Sequence, residues 1–227
     1  MKRFDKEGNA LVISRRCVVP KYLTVGERRK VLEYLKRLKG FEAGRDRMIF
    51  QLGMLAGLRV EEMRHTDVGD FYPMPQDGPR HISNFIPVVG KGNVYREIPL
   101  RPGSDLYKEV EAYLKAKKAA GESLDPLAPF FCAPGGARLS YRSLQDIVTR
   151  ACMKSGLVMV NPQTHRIKAR YSIHSLRHTF AVTWLGAHRN LSAGEAYKKL
   201  SLLMGHGDIR TTQKYTLLDI HEADDEI

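Results

Sequence analysis

The sequence predicts one mixed α/β domain, mainly helical, with a small antiparallel sheet. Three observations carry that prediction. Apolar residues recur at helical spacing over most of the chain. The period switches to two only in "HISNFIPVVGKGNVYREIPL", around a Gly-Lys-Gly-Asn turn. No internal repeat or low-complexity linker divides the 227 residues, a length that supports one sizeable core.

Taken in order, residues 1–20 read as an arm, with a short strand candidate at "ALVIS" and the basic pair Arg15 and Arg16. "LTVGERRKVLEYLKRL" opens with a helix start signal, since Thr24 stands three residues before Glu27 as in a capping box. Val31, Leu32, Leu35 and Leu38 share one face of that helix. A more buried helix follows in "RDRMIFQLGMLAGLR" and should stop near Gly57, which tolerates the left-handed conformation of a helix end. The two β runs flank a hairpin turn that holds Lys91 between Gly90 and Gly92. Helices resume in "SDLYKEVEAYLKAKKAA" and "SYRSLQDIVTRACMKSG". A basic loop, "QTHRIKARYS", leads into a helix at "IHSLRHTFAVTWLG", and "SAGEAYKKLSLLMG" and "DIRTTQKY" complete the fold. Trp184 and the Phe and Met positions at helical spacing read as core, and the lysines of "YLKAKKAA" as a solvated face.

Composition narrows the partner. Lys and Arg number 37 against 25 Asp and Glu, a formal charge of +12, which favours a polyanion such as nucleic acid. Cys17, Cys132 and Cys152 are odd in number and widely spaced, which argues for a reducing compartment rather than a disulfide framework. No apolar run reaches membrane length, and the basic N-terminus lacks the apolar stretch of a signal peptide, so a cytoplasmic setting is expected.

Several residues suit chemistry on a phosphate. His174 and Arg177 in "IHSLRHTF" are three apart, on one helical face, a pairing suited to an anion. His174 and His178 are also four apart, but no glutamate or third ligand accompanies them, so no metal site is expected and His178 reads as a supporting residue. Arg59 follows the glycine turn, either capping the helix or pointing into a cleft, and Glu62 stands where it could orient the guanidinium. With Lys91, His206 and Tyr215 the set fits phosphoryl transfer without a metal. Guanidiniums stabilise the developing charge, a tyrosine attacks, a histidine accepts its proton and a lysine protonates the leaving alkoxide.

The ordered set Arg59, Lys91, "HSLR" and "LMGHGDIRTTQKYT" resembles the tyrosine recombinase (phage integrase) family, over about Leu23 to Leu218. The last block is the most specific part, with "YT" nine residues after the histidine of "GH". The resemblance implies the catalytic-domain fold of that family over residues 21–218, preceded by the arm and followed by an acidic tail at 219–227. It implies that Arg59, Lys91, His174, Arg177, His206 and Tyr215 are catalytic, with Glu62 and His178 in support. Tyr215 would attack a DNA phosphate, leaving a 3′-phosphotyrosyl link and a free 5′-hydroxyl. Arg166, Lys168 and Arg170 of the basic loop, and Arg210, Thr211 and Lys214 around the tyrosine, are candidate contacts to double-stranded DNA. The family reading carries no cofactor and no small-molecule substrate, and it implies self-association as a tetramer on synapsed sites.

Two departures stand out. Most family members carry a helical N-terminal domain where this chain has a short arm, so it is expected to be either a single-domain recombinase or a catalytic piece. "LGAHRNLSAGEAYKK" is also longer than typical. Two other readings stay open at this level: a DNA-binding accessory factor of the same fold, and a type IB topoisomerase-like nicking and closing enzyme.

Overall fold

A computed structural model describes residues 21–205 apart from 91 and 162, together with Thr212. The arm, its "ALVIS" strand candidate and the acidic tail lie outside the described residues. Eight helices and four short strands occur among those described.

The first helix, α1 (Val25–Arg37), starts as its sequence demands: the Thr24 hydroxyl accepts from the Glu27 N–H, and the Glu27 carboxylate accepts from the Thr24 N–H at 2.9 Å. Glu27 also accepts from the Tyr171 hydroxyl at 2.8 Å and pairs with Arg170 at 3.2 Å. Burial alone would raise its pKa, but the hydrogen bonds from Thr24 and Tyr171 and the nearby Arg170 charge together lower it. One carboxylate thus caps α1 and ties it to the segment that leads into the "IHSLR" helix.

Helix α2 (Phe41–Leu55) is buried over most of its surface and forms the centre of the domain, with Met48, Ile49, Phe50 and Leu52 fully buried. It packs against α1, α5 (Asp105–Ala119), α6 (Tyr141–Lys154) and α7 (Ile173–Ala187). Phe71 stacks on Phe130 at 3.8 Å between ring centroids, and Tyr113 meets Phe130 edge-on at 5.0 Å. A smaller apolar cluster joins the second half of α7 to α8 (Ala193–Met204) through Phe180, Leu185, Leu200 and Met204. Trp184 belongs to this cluster only partly buried and stacks on His188, so it is not the core residue that helical spacing suggested.

The chain leaves α2 through Gly57, whose φ is +64°. A Cβ at that position would lie 2.3 Å from the Phe180 ring. Gly57→Ala therefore combines left-handed backbone strain with a clash at the junction of the two clusters. It should lower unfolding free energy by about 2–4 kcal/mol, read as a shift in the urea midpoint at unchanged slope.

Two short helices absent from the sequence reading, α3 (Val60–His65) and α4 (Val68–Phe71), turn the chain toward the hairpin. Strands β1 (Phe85–Val89) and β2 (Tyr95–Pro99) pair antiparallel, with Val88 opposite Arg96 and Ile86 opposite Ile98 on the buried face. The basic loop expected at 163–172 is in fact half of a second hairpin. Strand β3 (Val158–Val160) pairs with β4 (Ile167–Ala169), so the described residues hold two small sheets rather than one. The solvated lysine face of α5 also needs correction at one position. Lys117 is only 1% exposed, and its Nζ donates to the Cys132 Sγ at 2.9 Å. Its turn of α5 faces Phe41 and the 130–132 segment, so the long side chain is enclosed rather than solvated. No helix among the described residues is long and apolar enough to cross a membrane.

Candidate active site

The site is built around the C-terminus of α8. A helix end leaves its last carbonyls without intrahelical partners and carries partial negative charge. Helix α8 closes on Gly205 in the left-handed conformation, immediately before His206. Three successive carbonyls there are taken by three arginines from three separate elements. Arg96 Nε on β2 donates to the Leu203 oxygen at 2.9 Å, Arg177 Nη2 on α7 to Met204 at 2.5 Å, and Arg59 Nη2 at the start of α3 to Gly205 at 3.0 Å.

Glu62 holds the same three guanidiniums from the other side. Its side chain is 3% exposed. Oε1 accepts from Arg59 Nη1 at 2.8 Å and from Arg96 Nη1 at 2.9 Å. Oε2 accepts from the Arg59 backbone N–H at 2.7 Å and from Arg96 Nη2 at 2.8 Å, and Arg177 Nη1 stands 3.8 Å from it. Burial pushes the Glu62 pKa up, but the hydrogen bonds from Arg96 and Arg59 and the Arg96 charge outweigh it and hold the pKa at about 2. Glu62 is therefore ionised at neutral pH, as a carboxylate enclosed by three cations should be.

The arginines differ in how far they remain open. Arg177 is 8% exposed at its side chain, and its Nη1 also donates to the Gly57 oxygen at 2.5 Å, which joins α7 to the end of α2. Arg59 keeps 31% of its side chain exposed. His174, one turn before Arg177, is exposed, and His178 is half-buried. Arg59 thus stays partly open over a cationic floor, an arrangement able to receive an anion.

The other sequence candidates divide into two groups. Arg166, Lys168 and Arg170 are exposed on β4 and its flanks. Arg170 is engaged by Glu27 and lies 5.4 Å from the Tyr171 ring centroid. Lys91, His206, Arg210, Thr211, Lys214 and Tyr215 lie outside the described residues, although the Lys91 turn is closed on either side by the Gly90 N–H donating to the Val94 oxygen at 2.8 Å. Between them Thr212 is fully buried.

Sequence reasoning missed Arg96 altogether. The signal was present: β2 points Arg96 and Ile98 inward in register with Val88 and Ile86, so a charge occupies an apolar position of the alternation. A buried charge is costly unless paired, and its presence there implies a partner.

Comparison with known proteins shows the family and the fold. A sequence model of the phage integrase family matches residues 21–222. The tyrosine recombinase XerC of Vibrio vulnificus (strain YJ016) is 32% identical over 207 residues, which is 91% of this chain and 56% of that protein. The chain thus spans about half the length of the curated relatives it matches. Among solved structures, the XerH site-specific recombinase in a post-cleavage complex with palindromic difH substrate superposes with a TM-score of 0.65 at 18% identity, covering 99% of this chain and 60% of that one. A lambda integrase tetramer bound to a Holliday junction superposes at 0.55 and 19% identity, over 83% of this chain and 47% of that one. At such identities the structural likeness is one of fold, whereas the sequence match extends over nearly the whole chain: it belongs to the phage integrase family.

Proposed function

We propose that this chain is the catalytic part of a site-specific DNA recombinase that breaks and rejoins DNA through a 3′-phosphotyrosyl intermediate on Tyr215. The observation that carries the reading is the convergence of Arg59, Arg96 and Arg177 on the carbonyls of residues 203–205, directly ahead of His206, which opens the tyrosine block. A cationic floor positioned there suits a phosphodiester brought within reach of His206 and Tyr215.

In this mechanism Arg59 and Arg177 bind the non-bridging oxygens, and His174 adds a hydrogen bond. The Tyr215 oxygen attacks phosphorus, with His206 taking the phenol proton, and the bond to the 5′-oxygen breaks. Lys91 protonates that oxygen. One phosphate ester is exchanged for another, so the bond energy stays in the phosphotyrosine and a 5′-hydroxyl from a second strand reverses the step without ATP or metal. The basic β3–β4 hairpin, through Arg166, Lys168 and Arg170, and Arg210, Thr211 and Lys214 beside the tyrosine, contact the duplex backbone. Strand exchange requires paired sites, and the lambda integrase tetramer on a Holliday junction supports a tetrameric synapse. The same reading puts the protein in the cytoplasm, on DNA.

The direct test is a nicked half-site DNA whose short cleaved fragment diffuses away and prevents religation. The wild-type chain should accumulate a covalent protein–DNA adduct that survives SDS. Binding to the half-site without any adduct would overturn the recombinase reading in favour of an accessory DNA-binding role.

A further inference from the structure

Arg96 does more than balance a charge. Its side chain is 8% exposed, and all three of its nitrogens are committed: two to Glu62 and one to the Leu203 oxygen. Each of its nitrogens is thus held by an oxygen of the protein. The residues it does touch are the ones that matter. Glu62 is the carboxylate that orients Arg59 through both its side chain and its backbone N–H. Gly205, which precedes His206, lies so close under the guanidinium that a Cβ there would approach Arg96 Nη1 to 2.9 Å. We propose that Arg96 is a positioning residue for the phosphoryl-transfer step, holding Glu62 so that Arg59 faces the phosphate and holding the end of α8 that precedes His206 in the sequence. This assignment rests on the recombinase reading given above.

The charge of the cluster supports the role. Three guanidiniums and one carboxylate leave a net of two positive charges. The pentacoordinate phosphorane formed when a tyrosinate attacks a phosphodiester carries two negative charges, one more than the ground state. Interactions that strengthen only as that second charge develops accelerate the step without tightening binding. Without Arg96, the two Glu62 oxygens lose a bidentate partner, and Arg59 and Arg177 alone must satisfy a buried carboxylate. Arg59 is then drawn toward Glu62 at the expense of the phosphate. The hairpin also loses its hydrogen bond to α8, and with it a direct connection between the strand that follows the Lys91 turn and the turn before His206.

A coupling experiment on the 227-residue chain tests this. Single-turnover adduct formation on the nicked half-site is measured at saturating protein for wild type, Arg96→Met, Arg96→Lys, Glu62→Gln and the Glu62→Gln/Arg96→Met pair, with half-site affinity and cooperative melting measured beside it. Arg96→Met should slow cleavage by about 10²-fold while affinity changes less than about threefold, the pattern of an interaction made mainly in the transition state. Arg96→Lys, which keeps the charge but loses the planar fork, should fall between. In the Glu62→Gln background the loss of Arg96 should cost no more than about tenfold, because the carboxylate is gone and only the bond to the Leu203 oxygen is left to lose. The same loss in both backgrounds overturns the proposal, and so does a weakened affinity that accounts for the whole slowdown. If Arg96→Met does not melt cooperatively, Arg96→Lys alone and over Glu62→Gln decides by the same comparison, a wild-type rate for Arg96→Lys counting against. Failure of the wild-type chain to form any adduct sinks the recombinase reading and this proposal with it. An active wild type beside unaltered variants sinks the proposal alone.

Discussion

Tyr215→Phe is expected to abolish the covalent adduct while leaving half-site affinity within about twofold of wild type. Phenylalanine keeps the ring and its packing and removes only the oxygen that would join to phosphorus. Loss of a nucleophile from a covalent catalyst costs on the order of 10⁶-fold, which puts the variant below detection in a gel assay. On the proposed reading affinity should persist, because electrostatic contacts to DNA would be distributed over a chain with a net charge of +12. A tyrosine phenol is in general a poor nucleophile at neutral pH: at the ordinary pKa near 10, ionisation costs about 4 kcal/mol unless a base takes the proton. His206, nine residues earlier, is the group assigned to that work. An SDS-resistant adduct formed by the phenylalanine variant would show that another residue carries the DNA.

The second large effect separates two roles for Lys91. A lysine that merely contacts phosphate should, when lost, slow cleavage of every substrate alike. A general acid matters only when the leaving group is poor. Sulfur in place of the bridging 5′-oxygen makes the leaving group a thiolate, which departs without a proton. Lys91→Ala should therefore lose about 10²–10⁴-fold on ordinary DNA and recover most of its rate on the sulfur-bridged strand. Arg59→Ala and Arg177→Ala should show no such recovery. They remove stabilisation of charge on the non-bridging oxygens, which the sulfur does not replace. Equal slowness of the lysine variant on both substrates would move the acid role elsewhere, with His206 next to be tested. In the sequence Lys91 stands between Gly90 and Gly92, and hydrogen bonds between Gly90, Asn93 and Val94 close the turn around that position.

What the sequence determined by itself follows from local physics. The Thr24–Glu27 box, the glycine stop at Gly57, the hairpin around Lys91 and the left-handed end at Gly205 depend on residues a few positions apart, so their signals are intact in one dimension. The order of Arg59, the "HSLR" pair and the "GH…YT" block likewise announced both the family and the candidate chemistry. Tertiary structure alone decided how the charges are joined. Arg96 finds Glu62 across 34 positions and Leu203 across 107, and Arg59 finds Gly205 across 146. Periodicity carries no record of such pairings, because it marks which face of an element is buried and not what lies against it. Lys117 was misread for the same reason. It looked like a solvated cation until the fold placed Cys132 over it. A long cationic side chain takes its character from the partner within reach of its end, and only the folded chain brings that partner there.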